Sequence, residues 1–135
     1  MVLRGQRDAD GQRDQVSVLH PQTRLALVAV RDIGTAAAAA IAEPERFDQV
    51  ELELAGDYLS MTEIAEVLSR ALGRPVPAPD MTEPEALAAG MPAMGASHEW
   101  MNVNSQPARP QFARDLGLPV TSFDDWAQEH LRATA

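Results

Sequence analysis

The sequence predicts an α/β fold, and three stretches predict it: the apolar run Leu25–Val30, the alanine-rich stretch directly after it, and an alternating run, Val50–Leu54, that leads into a capped helix. Leu25 to Val30 contains no polar residue. That pattern fits a strand covered on both faces, so it predicts the central strand of a parallel sheet flanked by helices. Asp32 stands where a helix N-cap belongs, its carboxylate able to accept the unpaired N–H of Gly34 or Thr35. The alanines Ala36 to Ala40 then give a strong helix former with a smooth surface, and Pro44 predicts its end at about Glu43. A buried strand feeding a helix N-terminus is also where α/β folds place ligands. Asp32 therefore has two readings, a cap and a ligand-site residue.

The other elements follow in chain order. Residues 1–15 mix charge, Gly and Gln with little apolar content, and predict a flexible N-terminal segment; residues 16–135 form the folded domain. Val16–Leu19 predicts a short strand, joined to the central one by a turn at His20–Thr23. Glu43–Phe47 adds a helical turn. In Val50–Leu54 apolar and acidic residues alternate, so this strand has one wet face and lies nearer an edge. Ser60–Met–Thr–Glu63 is a capping box, with Leu59 and Ile64 at the positions of a hydrophobic staple. Met61, Ile64, Ala65, Leu68, Ala71 and Leu72 repeat with helical period up to Gly73, so residues 61–72 are a helix.

Val76 lies between two prolines and allows at most a brief edge strand. Thr82–Glu85 repeats the cap pattern, with Pro84 in the first turn and Gly90 closing a short helix. Met91–Gly95 has no period, Ser97–Asn102 is helical, and Gln111–Leu116 is a short helix that Gly117 ends. The last helix runs from about Phe123 to Arg132 and lines up Phe123, Trp126, Ala127 and His130 on one stripe.

Composition removes several classes of function. The net charge of −9 opposes nucleic-acid binding. There is no cysteine, hence no disulfide, thiolate metal site or thiol nucleophile. All 11 basic residues are Arg, which removes the Schiff-base lysine, the phosphate-loop lysine and any Tyr-x-x-x-Lys pair; Tyr58, the one tyrosine, is followed four places on by Thr62. No apolar run reaches membrane-spanning length and no apolar signal core opens the chain, so the cytoplasm is the expected location. His20, His98 and His130 are far apart in sequence and no metal-ligand spacing occurs, so neither a metal site nor a catalytic cluster is expected. The acidic pairs Glu51/Glu53 and Asp124/Asp125 fit a wet strand face and a helix start. The residues best suited to line a substrate pocket are Met94, His98, Trp100, Met101 and Asn102, in a segment where Met, Gly and Pro make an adaptable apolar wall.

Several of these stretches together carry a resemblance. Val28-Ala-Val-Arg-Asp-Ile-Gly34, the alanine-rich helix up to Glu43-Pro44, the strand Val50–Gly56 and the helix ending Leu72-Gly73-Arg74-Pro75 resemble the C-terminal half of NmrA-like proteins, atypical members of the extended short-chain dehydrogenase/reductase superfamily. Glu99-Trp-Met-Asn102 and Phe123-Asp-Asp-Trp126 are similar to that family's closing segments. The resemblance implies the C-terminal part of a Rossmann-like fold with a small helical substrate-side subdomain, and NADP or NAD as cofactor. The family's Gly-rich turn after a first strand has no counterpart, since Gly5 and Gly11 lie in charged sequence with no strand before them. The implied protein thus lacks the N-terminal nucleotide-binding half, through truncation, gene splitting or a mis-set start. Its implied function is the substrate-side half of an NAD(P)-dependent oxidoreductase, with a non-catalytic regulatory or redox-sensing module, or an inactive fragment, as alternatives. Its partners would be a small-molecule substrate or the missing Rossmann half, and the chain is expected to self-associate.

Overall fold

A two-stranded antiparallel sheet laid against one amphipathic helix organises the chain in the computed structural model, which describes residues 14–131. Strand β1 (Arg24–Leu27) pairs with β2 (Asp57–Ser60), Leu25 opposite Leu59 and Leu27 opposite Asp57. Between them lie α1 (Val30–Ala42) and the single turn α2 (Pro44–Phe47). After β2 come α3 (Met61–Leu72), α4 (Glu83–Ala88), a 3₁₀ segment (Ala93–Asn102), α5 (Pro110–Asp115) and α6 (Phe123–His130). This mixture of helix with a small antiparallel sheet is compatible with an α/β fold.

The predicted central parallel strand is corrected to a short antiparallel one. β2 offers β1 only four residues, and after the Gly56 N–H bond to the Leu27 carbonyl the chain turns away. Val28 is exposed, and Val30 belongs to α1 and is 83 % exposed, so two of the six residues of the apolar run are not core. Two further predicted strands are also corrected. Val16–Leu19 is irregular, although Val18 and Leu19 are buried. Val50–Leu54 is likewise not in a sheet: the N–H groups of residues 51–55 make no hydrogen bond among the described residues. Its alternation survives only as exposure, with Glu51 and Glu53 exposed and Leu52 and Leu54 half-buried. Residues 1–13, most of the predicted flexible segment, and 132–135 lie outside the described residues. Asp14 pairs with Arg74 at 3.1 Å, and Gln15 is buried.

Helix α3 spans the residues its period predicts. Ser60 Oγ accepts from the Glu63 N–H at 3.1 Å and Glu63 Oε2 accepts from the Ser60 N–H at 2.7 Å, closing the capping box. Gly73, at φ +67°, ends the helix in a conformation that a side chain would resist. Its inner face supplies Met61, Ile64 and Leu68, the largest fully buried side chains, which meet Leu19, Leu25, Val76, Phe123 and Ala127. The Phe123–Trp126–His130 stripe of α6 forms a continuous stack, with centroid separations of 5.8 and 4.9 Å. Thr82 and Glu85 close the second predicted box, and Gly90 and Gly117 both take positive φ.

The backbone N–H of Ser60, more than the charge of Arg24, holds the Glu63 carboxyl below its usual 4.5, against the opposing effect of desolvation. A depressed folded-state value means that this stabilisation is complete above 4.5 and is lost as pH falls through the lowered value. Ser60→Ala is expected to lower the unfolding free energy by about 1 kcal/mol near neutrality. Urea melts of wild type and variant measure it, and coincident curves would refute the role of the box.

Candidate functional site

A pocket of about 500 Å³ opens beside β1. One wall is the sheet and the core helix, through Leu25, Ala26, Leu27 and Met61; another is residues 15–19; the third is the stretch Met91–Met101 together with Gln106. The volume is in the range of small-molecule sites. The lining is mainly apolar; among the described residues its polar members are Gln15, Ser17, Ser97, His98 and Gln106, and it contains no Asp, Glu or Arg.

Two side-chain amides build the pocket from segments distant in sequence. Asn102, which ends the 3₁₀ segment, accepts from the His20 N–H at 2.9 Å and the Thr23 hydroxyl at 2.6 Å, and donates to the Val18 carbonyl at 3.0 Å. It thereby fastens the third wall to the turn before β1. Gln106 Oε1 accepts from the Ala26 N–H at 2.8 Å, on the edge of β1 that faces away from β2. Within the third wall, an added Cβ at Gly95 would stand 2.8 Å from Met91 Cγ, so the absence of a side chain lets Met91 pack inward.

Of the five residues predicted to line a pocket, Met94, His98 and Met101 do so. Trp100 is 62 % exposed and lies outside the lining, and Asn102 acts as the clamp just described. Gln15, Met61, Met91 and Gln106 were not singled out from sequence. Met61 and Met91 carried the ordinary marks of core residues, and nothing local distinguishes Gln15 or Gln106 from any other polar residue. Tyr58, which has no lysine four places on, serves as a stacking surface, with the Arg109 guanidinium 3.6 Å and that of Arg24 5.8 Å from its ring centre.

Asp32 is corrected from helix cap to clamp. Helix α1 begins at Val30, one turn earlier than a cap at Asp32 requires, and Ala29 takes the N-cap place without a side-chain bond. The buried Asp32 carboxylate accepts from the Thr121 N–H at 2.6 Å and the Thr121 hydroxyl at 2.9 Å. Gly56 completes this junction, where an added Cβ would stand 2.2 Å from the Thr121 carbonyl oxygen. Asp57 works beside it, accepting from the Phe123 N–H at 2.9 Å, so two carboxylates fix the entry to α6. Arg31 braces the same junction through the Thr121 hydroxyl and an ion pair with Glu129 at 2.8 Å.

A dinucleotide does not fit the donor set of the described residues. Binding its pyrophosphate takes a glycine turn between a parallel strand and a helix N-terminus, or cationic side chains. The first turn of α1 is taken by a carboxylate already committed to Thr121, Gly34 lies inside the helix, and the described residues of the pocket lining include no arginine. Among the described residues no His, Asp and Glu cluster could hold a metal ion, and no helix is long and apolar enough to cross a membrane.

The fold is thus a small mixed helix and sheet domain whose pocket has a largely apolar lining, uncharged among the described residues. The NmrA-like family model matches residues 4–105, and the chain belongs to the NmrA-like family, whose members generally bind NAD(P). No curated protein matches it.

Asp32→Ala would leave the Thr121 N–H and hydroxyl without their acceptor. It is expected to lower stability by about 2 to 3 kcal/mol, the scale of hydrogen bonds to a charged group. Denaturant melts test this, and a loss no larger than that of an ordinary exposed substitution would show that Thr121 is held by other contacts.

Proposed function

We propose that the chain is the substrate-side portion of an NAD(P)-dependent oxidoreductase. It would correspond to the C-terminal half of an NmrA-like member of the extended short-chain dehydrogenase/reductase superfamily, working in the cytoplasm with a Rossmann half that carries the cofactor. The observation that carries this reading is the uncharged pocket of about 500 Å³ in a domain whose described residues offer no cradle for a pyrophosphate. Residues 51–55 support it: five consecutive N–H groups without hydrogen bonds among the described residues, in a run of strand-like alternation, fit a strand without its sheet. A sheet edge supplied by a nucleotide-binding half would satisfy them. On this reading Met94, His98 and Met101 face the substrate, Asn102 positions their segment, and Trp100 lies outside the pocket, on the exposed surface. The cofactor's redox chemistry belongs to the other half, while this chain's residues bind and orient the substrate and keep water from it.

One observation favours a second reading, a non-catalytic regulatory or redox-sensing module. His98 is the single titratable side chain among the described residues of the pocket lining, and acid–base chemistry within the pocket would need a partner group to set its role. Reduction of a carbonyl probe by NADPH on reconstitution with a Rossmann half supports the oxidoreductase; saturable binding without turnover supports the module.

The chain by itself is expected not to bind NADPH with useful affinity, its charge of −9 adding an unfavourable field for an anionic cofactor. Titration followed by Trp100 and Trp126 fluorescence measures this. Saturable quenching with a low-micromolar midpoint, sensitive to loss of the 2′-phosphate, would overturn the partial-protein reading.

Val30, Ile33, Ala37 and Ile41 form an exposed apolar stripe along α1, whose only buried residue is Asp32. The isolated chain is therefore expected to self-associate at tens of micromolar, a rough range for such contacts. Light scattering that finds a single monomeric species would refute this.

A further inference from the structure

Residues 50–54 are an exposed run of unpaired backbone. The N–H groups of residues 51–54 and the carbonyls of residues 50–54 make no hydrogen bond among the described residues, whereas from Gly56 onward the chain is bonded to β1. Val50, Glu51 and Glu53 are exposed and Leu52 and Leu54 half-buried, so the run is reached from outside. Ala55 is buried and stands apart from it. A row of free amides and carbonyls with alternating side chains is a template for one more strand.

Charge selects which strand. From Glu43 to Asp57 the chain carries six carboxylates and one arginine. Arg46 is engaged by Glu43, and Asp57 accepts from the Phe123 N–H. Glu45, Asp48, Glu51 and Glu53 are exposed and have neither an ion pair nor a hydrogen bond among the described residues. We propose that residues 50–54 are a docking edge for a strand of another polypeptide in which Arg or Lys alternates with apolar residues. The cations fall opposite Glu51 and Glu53, and the apolar side chains fall on the face of Leu52 and Leu54. The proposal rests on the reading in which a second polypeptide completes the sheet, and it names the chemistry of the edge that this polypeptide presents.

The two kinds of contact do different work. Main-chain hydrogen bonds and the burial of Leu52 and Leu54 supply affinity for any extended segment. The cross-strand charge pairs lie on the wet face, where salt screens them, so they add little affinity and mainly reject the wrong partner. An acidic strand, or a second copy in parallel register, would set like charges directly opposite each other.

Fluorescence anisotropy with labelled peptides tests this, the full chain being held below the concentration at which it self-associates. Lys-Val-Arg-Val-Lys-Val is expected to bind about tenfold tighter than its isomer Lys-Lys-Arg-Val-Val-Val, which has the same charge without the alternation, and than Glu-Val-Glu-Val-Glu-Val. In the double variant Glu51→Arg, Glu53→Arg, which changes only exposed side chains, the preference between the basic and acidic alternating peptides is expected to reverse. Hydrogen exchange is expected to slow at alternate amides within residues 51–54 when the basic peptide is bound. Equal binding of the two basic isomers would trace the attraction to the net charge of −9 alone and overturn the proposal. It is equally overturned by an unchanged preference in the double variant, by unaltered exchange at residues 51–54, or by binding of none of the peptides. NADPH turnover on reconstitution with a Rossmann half tests the oxidoreductase reading separately, so the two fail independently.

Discussion

The burial of one face of α3 is the constraint on which the rest of the structure depends. A two-stranded sheet is marginal in water without a further layer, and here that layer is Met61, Ile64, Val67, Leu68 and Ala71. With few aromatic residues in the chain, apolar area must come from aliphatic and methionine side chains that fit closely. The helix is fixed at both ends by local chemistry, a reciprocal box at Ser60 and Glu63 and a left-handed glycine at Gly73. Because β2 runs directly into α3, fixing the helix also fixes the sheet register. Leu25 and Met61, which belong to the core and to the pocket wall alike, carry that order into the site.

Around this centre, long-range polar contacts substitute for a larger core. Asn102 closes a loop of about eighty residues through three hydrogen bonds, and Asp32 closes one of 89 toward Thr121 through two. These bonds are worth most where they are shielded from water, and losing one partner leaves the others unpaired. The ion pairs Arg24–Glu63, Arg31–Glu129 and Arg70–Asp124 have both side chains about half exposed, and pairs of that kind add little.

What the sequence made legible was local. The capping boxes at Ser60 and Thr82, the stop at Gly73 and the aromatic stripe of α6 are each decided by residues within one or two helical turns, and they stand as read. Strands depend on partners distant in sequence. The Leu25–Val30 run has the composition of a covered strand, but only Arg24–Leu27 finds a partner, and the Val50–Leu54 alternation finds none among the described residues. Asp32 illustrates the same boundary: a carboxylate near a helix start is well suited to capping, and a threonine eighty-nine positions away claims it. In the pocket, Met94, Met101 and His98 could be anticipated from a Met-rich stretch without period, whereas Gln15 and Gln106 acquire meaning only where the chain folds back on itself.

The unpaired stretch after α2 carries two acidic residues. Glu51 and Glu53 fall on the same exposed side of an extended run. If two copies zipped together there in parallel and in register, like charges would stack at the spacing of neighbouring strands, where repulsion is strong. An edge carrying arginine or lysine opposite those positions would instead find both backbone groups and counter-charges waiting. Like charges at that spacing would make the pairing of two copies costly.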